Sequence, residues 1–98
     1  MTLTSKQRAY LLSLANTLDP VIQIGKNGVA PETVQSAEEV FNTHELIKGS
    51  VLKTAPDEPK DSARMLSDRT KSVLVRVIGR RFILYRPFKE NPEIELPK

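Results

Sequence analysis

The sequence predicts a single α/β domain, and three observations predict it. Residues 21 to 52 read as strand, helix, strand. Residues 73 to 86 read as two strands joined at a tight glycine turn. Helix-start chemistry stands at Thr4, Pro31 and Pro59, where helices would precede or separate those strands. A strand–helix–strand unit of roughly thirty residues is a βαβ motif, so its strands should pair in parallel through a right-handed crossover. A chain of 98 residues has room for one core and little more.

The first helix should open at Thr4. Thr4-Ser5-Lys6-Gln7 fits a capping box, in which Gln7 reaches back to the main chain that Thr4 begins. Leu11, Leu14, Ala15 and Leu18 recur at three- and four-residue spacing, which predicts one apolar face. Asp19-Pro20 should end the helix, because the residue before proline disfavours the α region. Val21 to Ile24 then reads as a short buried strand. Pro31 suits the first position of the second helix, where its missing N–H costs nothing. Val34, Ala37, Val40 and Phe41 form that helix's inner stripe, with Glu32, Gln35, Glu38 and Glu39 outward, and the helix should run to about Thr43-His44.

Leu46 to Leu52 reads as the second strand, and Gly49 within it should weaken it or mark a bulge. The prolines at 56 and 59 make a loop, and a third helix follows from about Pro59 to Arg69, with Ala63 and Leu66 inside and Met65 at the edge. Val73 to Ile78 and Arg81 to Arg86 should form a hairpin around Gly79-Arg80, whose leading glycine suits a type II′ turn. Val73, Val75 and Val77 are expected on one face. Pro87 ends the last strand, and residues 88 to 98 are expected to be an extended tail.

Composition narrows the function. The chain has 39 % hydrophobic and 28 % charged residues, which fits a globular domain. It has no cysteine, so there is no disulfide framework and no thiolate metal site. No apolar run approaches the ~20 residues of a membrane span, and the first residues carry no signal-peptide apolar region. A soluble cytoplasmic protein with no membrane partner is the expectation. The net charge is only +3, yet residues 64 to 86 hold seven basic side chains against the single Asp68. Such asymmetry points to a polyanionic partner.

Catalytic chemistry is poorly supplied. His44 is the one histidine, at a helix end, and Glu38 and Glu39 are adjacent, so they point in different directions on a helix. Serines and threonines have no evident partner base. We expect no enzyme activity, no metal, no cofactor and no small-molecule substrate. Nucleic-acid binding has more support. Gly25-Lys26-Asn27-Gly28 should form the turn from the first strand into the second helix, with Lys26 at its tip. Bare main chain and a helix N-terminus suit an approaching phosphate. Arg80 and Arg81 should be exposed at the hairpin tip. The aromatics are few, so recognition of shape and backbone is favoured over base stacking.

Four stretches in this order resemble a known family. They are Leu3-Thr4-Ser5-Lys6-Gln7-Arg8, Pro20-Val21-Ile22-Gln23-Ile24-Gly25-Lys26-Asn27-Gly28, His44-Glu45-Leu46-Ile47-Lys48, and Val77 to Pro87. The chain resembles a stand-alone CRM domain, the RNA-binding module of chloroplast splicing factors and of bacterial YhbY-type ribosome-associated proteins. The resemblance implies an α-β-α-β-α-β-β order with a mixed four-stranded sheet, similar to the C-terminal domain of bacterial translation initiation factor three. It implies RNA binding through Gly25, Lys26, Asn27 and Gly28 with nearby basic residues, for which Lys6, Lys48, Arg80, Arg81 and Arg86 are the candidates. For bacterial single-domain members it implies association with ribosomal RNA in large-subunit precursors. Two departures stand out: Gly49 replaces a branched apolar residue, and Ser67 to Ser72 lacks the glycine that often precedes the third strand. Two other readings remain: a protein–protein adaptor whose basic block meets an acidic partner, and a sequence-independent DNA binder.

Overall fold

A computed structural model describes residues 1–98. The order is α1 (Ser5–Ala15), β1 (Ile22–Ile24), α2 (Pro31–Phe41), β2 (Leu46–Val51), α3 (Pro59–Thr70), β3 (Val73–Ile78) and β4 (Arg81–Tyr85). The strands form one mixed sheet in the order β1-β2-β4-β3. β1 lies parallel to β2, as a βαβ unit requires, and the other two pairings are antiparallel. β1 and β3 are the edges.

Side-chain alternation divides the core in two. Ile22, Ile24, Ile47, Val51, Phe82 and Leu84 pack on Ala37 and Phe41 of α2 and on Ala63 and Leu66 of α3. On the other face Leu46, Val75, Ile83 and Tyr85 pack on Leu3 and on Leu11 and Ala15 of α1. The α1 start is built as expected: Gln7 N–H donates to Thr4 Oγ1 at 3.1 Å, and Thr4 N–H donates to Gln7 Oε1 at 3.0 Å. Leu14 is the exception on its face. It is 37 % exposed, and Leu12 and Leu18 pack against the core instead.

Three expectations change. Gly49 marks no bulge. It sits opposite Phe82, and a Cβ at Gly49 would lie 2.2 Å from the Phe82 ring. The glycine is there so that the ring can lie across the strand. The bulge is in β3, where pairing skips from Leu74 to Arg76. It restarts the alternation, so Val73 and Val75 face α1 while Val77 joins the other core. The tail lacks regular structure but does not extend away. Glu45, 4 % exposed, accepts the main-chain N–H groups of Phe88, Glu93 and Ile94 at 2.7, 2.9 and 2.7 Å. Ile94 and Leu96 then pack on the α1-side core. A buried carboxylate ringed by donors is satisfied, so Glu45 clasps the C-terminal segment.

Candidate nucleic-acid interface

Gly25 to Gly28 is a closed turn: Gly28 N–H donates to Gly25 O at 2.9 Å. Only the second glycine needs its freedom. Gly28 has φ +67, and a Cβ there would meet Pro56 Cγ at 3.1 Å. Gly25 does not take positive φ, and its nearest neighbour would be Leu52 Cδ1 at 3.6 Å. Lys26 and Asn27 are exposed at the tip and make no hydrogen bond within the protein. Their N–H groups are therefore open to an outside acceptor. Behind the turn, Ala30 N–H is held by Thr33 Oγ1 at 3.2 Å, and Pro31 has no N–H to offer. Two helix-end positions thus offer no donor, while the N–H groups of Lys26 and Asn27 stay without a partner in the protein.

Main-chain bonds bring the hairpin to the same end of the sheet. Leu52 N–H donates to Ile24 O, and Val51 N–H donates to Arg80 O, both at 2.8 Å. The end of β1, the end of β2 and the hairpin tip are thus adjacent. Gly79 has φ +59 while Arg80 does not take positive φ, as a type II′ turn requires. Arg81 is exposed as expected. Arg80 is not free: it is half-buried, donating Nε to Val51 O at 2.7 Å and Nη2 to Leu52 O at 2.6 Å. Its charge stays at this end, but much of its donor capacity serves the β2 terminus.

The sheet register adds a surface. Lys48 and Arg76 both stand opposite Ile83, and Ser50 stands opposite Arg81. All share the face that α1 covers only in part, together with Gln23 opposite Ser50. Lys48 is half-buried, whereas Arg76 and Arg81 are exposed. This face is a polar, basic platform beside the glycine turn. Lys53 follows Leu52 directly and is also exposed. Sequence reasoning overlooked Lys53, though its place just past a strand that ends beside the turn was a usable signal. It missed the facing of Arg76 because the bulge inverts it.

Two candidates lie elsewhere. Lys6 is exposed on the first turn of α1, where its neighbour Gln7 reaches Pro97 O and Arg8 reaches Leu74 O and Val75 O. Arg86 is held at the opposite end of β4 from the hairpin. Its Nη1 meets Glu38 Oε1 at 2.7 Å, Oε2 at 3.0 Å and Thr70 O at 2.9 Å. Its guanidinium also stacks 4.6 Å from the Phe41 ring centroid. Arg86 thus ties α2, α3 and β4 together, and Glu38 does not simply look outward. No cluster of three metal-ligating carboxylate, histidine or cysteine side chains is present, and no helix is long and apolar enough to cross a membrane.

Residues 3–86 match the sequence profile of the CRS1 / YhbY (CRM) domain. The chain belongs to the CRM domain family. This CRM domain is 41 % identical over 95 residues to Bacillus subtilis YqeI, named a probable RNA-binding protein, with 97 % of this chain and 99 % of that one covered. It is 35 % identical over 97 residues to a Haemophilus influenzae protein named an RNA-binding protein, covering 99 % and 97 %. Its fold matches the solution structure of Staphylococcus aureus SAV1595, described as a candidate RNA binder, with TM-score 0.82 and 46 % identity over 98 % of this chain and all of that one. The expected α/β architecture and mixed sheet of a CRM domain are therefore correct for this chain.

Proposed function

We propose that this CRM domain binds RNA, gripping the sugar–phosphate backbone at the turn end of the sheet, and that it acts in the cytoplasm on ribosomal RNA in large-subunit precursors. One observation carries the reading. The unpartnered Lys26 and Asn27 share one end of the sheet with Arg80, Arg81 and Lys53, next to the platform of Lys48 and Arg76. Main-chain N–H groups and cations that converge in this way are the ingredients of phosphate binding. Relatives named for RNA binding favour RNA over DNA. The large-subunit assignment rests on the family resemblance.

No chemical step is assigned to the site, since nothing there pairs a nucleophile with a base. Binding would be the whole activity, with specificity from RNA shape. Crosslinking in cells, followed by sequencing of the attached nucleic acid, tests the proposal. Enrichment of large-subunit ribosomal RNA and its precursors is expected. Recovery of DNA, or of RNA without that enrichment, would contradict it.

A further inference from the structure

A second basic surface remains after the turn end is accounted for. A groove of about 1590 Å³ runs beside the free edge of β3, between that strand, α3 and the start of the tail. Lys60, Arg64, Lys71, Arg76 and Lys89 line it. All five are exposed, and none makes a side-chain hydrogen bond or ion pair within the protein. The acids on its walls are Glu38, which Arg86 neutralises, and Asp68.

The cations are arranged in a line. Positions 60, 64 and 71 of α3 and its cap fall on one helical stripe at spacings of four and seven. At ~1.5 Å of rise per residue the stripe is about 16 Å long, enough for roughly five nucleotides at ~3.4 Å each. Arg76 stands on the strand that forms the facing wall. It also belongs to the basic sheet platform, so it joins the groove to the turn end.

A peptide strand fits this groove less well than RNA. A free sheet edge normally invites β-pairing. Here the bulge breaks the ladder at Leu74/Arg76. Arg8 Nη1 also occupies the Leu74 and Val75 carbonyls at 2.9 and 2.8 Å. The edge is blunted while the charge is left open. Lys71 adds a second indication that charge matters here. It holds a left-handed backbone position, φ 56, at the end of α3, where glycine is the usual residue.

We propose that this groove is a second RNA-backbone site, separate from the glycine turn, in which Lys60, Arg64, Lys71 and Arg76 neutralise successive phosphates of the same bound RNA. The proposal rests on the RNA-binding reading above and extends it to a two-part footprint. It makes Lys60, Arg64 and Lys71 binding residues, none of which stood among the candidates, and gives Arg76 of the sheet platform a second role.

The test compares the parent with two variants on a synthetic stem–loop RNA that carries a single-stranded tail. The groove variant is Lys60→Gln, Arg64→Gln and Lys71→Gly. The turn variant is Lys26→Asp and Asn27→Asp. Glycine relieves the left-handed position, so the groove variant should melt no lower than a surface triple substitution would, which circular dichroism checks. The groove variant should bind at least ~10-fold more weakly at moderate salt. Its log K against log salt slope should be shallower by about 2.7 on duplex, or about 2.1 on single strand, if all three charges meet phosphates. A folded groove variant with the parent's affinity and slope, while the turn variant is impaired, would overturn this proposal alone. A parent that binds no RNA would overturn the RNA reading and this proposal with it. A parent that binds poly-glutamate in place of RNA, through these side chains, would assign the groove to an acidic protein and also overturn it.

Discussion

Gly49→Ala should destabilise this domain although alanine is the better strand residue. The methyl would lie 2.2 Å from Phe82 Cζ and 2.6 and 2.7 Å from the two Cε atoms. Carbon atoms pack best at ~3.5–4.0 Å, so the ring must retreat by roughly 1 Å or more. Phe82 is fully buried among Ile22, Ile24, Phe41 and Leu66, and a close-packed interior leaves it no vacant space. Overpacking of this kind costs ~1–3 kcal/mol. Against it, replacing glycine removes unfolded-state freedom worth ~0.4–1 kcal/mol, and the Gly49 backbone, not at positive φ, resists neither residue. The net is a loss of about 1–2 kcal/mol, or a Tm about 4–16 °C lower in a domain this small. Urea unfolding followed by circular dichroism measures it. Adding Phe82→Leu to Gly49→Ala should recover part of the loss, so that the double-mutant cycle shows a coupling of at least ~0.5 kcal/mol. Gly49→Ala as stable as the parent, or strict additivity in the cycle, would refute the packing argument.

Arg86→Ala should lower stability by about 1–2 kcal/mol, through loss of the Glu38 and Thr70 contacts and of the Phe41 stacking; urea unfolding checks it, and a change within about ±0.5 kcal/mol would contradict the tie among α2, α3 and β4. Tyr85 gives a pH signature. Burial first, then the charge of Glu45, holds its phenol above the ordinary 10.0, so the folded state keeps the proton more tightly than the unfolded chain. That contribution is whole below about pH 10 and is lost as pH rises through the folded value. Urea midpoints should therefore fall more steeply between about pH 9 and about pH 11 in the parent than in Tyr85→Phe, and equal slopes would contradict it. The two turn glycines should separate: Gly28→Ala, at φ +67 and tight on Pro56, should cost about 1–2 kcal/mol, while Gly25→Ala should stay within about ±0.5 kcal/mol. Thermal melts with the reverse ranking would show that the turn has been misread.

Much of the fold was legible because each element carried its own local signal. The capping box at Thr4, the prolines at 31 and 59, and the glycine at 79 mark boundaries that the structure keeps to within a few residues. What was not legible depended on partners distant in the chain. Nothing near Gly49 announces that Phe82 lies over it. Glu45 looks like one more surface acid until residues 88, 93 and 94 bring their N–H groups to it. The β3 bulge leaves no mark in Val73 to Ile78, so the strict alternation expected there failed after Val75.

The candidate site shows the same division. The turn could be found from Gly-Lys-Asn-Gly, and its neighbour Arg81 from the hairpin. Arg80 and Arg86 were counted as free charge because a sequence gives charge without its hydrogen-bond partners. The structure engages both with carbonyls, and Arg86 with a carboxylate as well. Arg64 and Lys71 of the groove were visible as part of a basic block, but the stripe they share with Lys60 matters only once β3 stands opposite them.

The central claim is that the turn from Gly25 to Gly28 holds RNA. The most direct measurement is the RNA affinity of Lys26→Asp with Asn27→Asp. Both side chains are exposed and make no hydrogen bond within the protein, and both glycines remain. Stability should therefore shift by no more than about ±0.5 kcal/mol. The variant removes one cation and sets two carboxylates where a phosphate would arrive. A charged hydrogen bond is worth ~1.5–3 kcal/mol, so affinity should fall at least ~10-fold, and co-sedimentation with large-subunit precursors should fall with it. A folded variant that binds RNA as tightly as the parent would contradict the account, leaving the loop as a turn and nothing more.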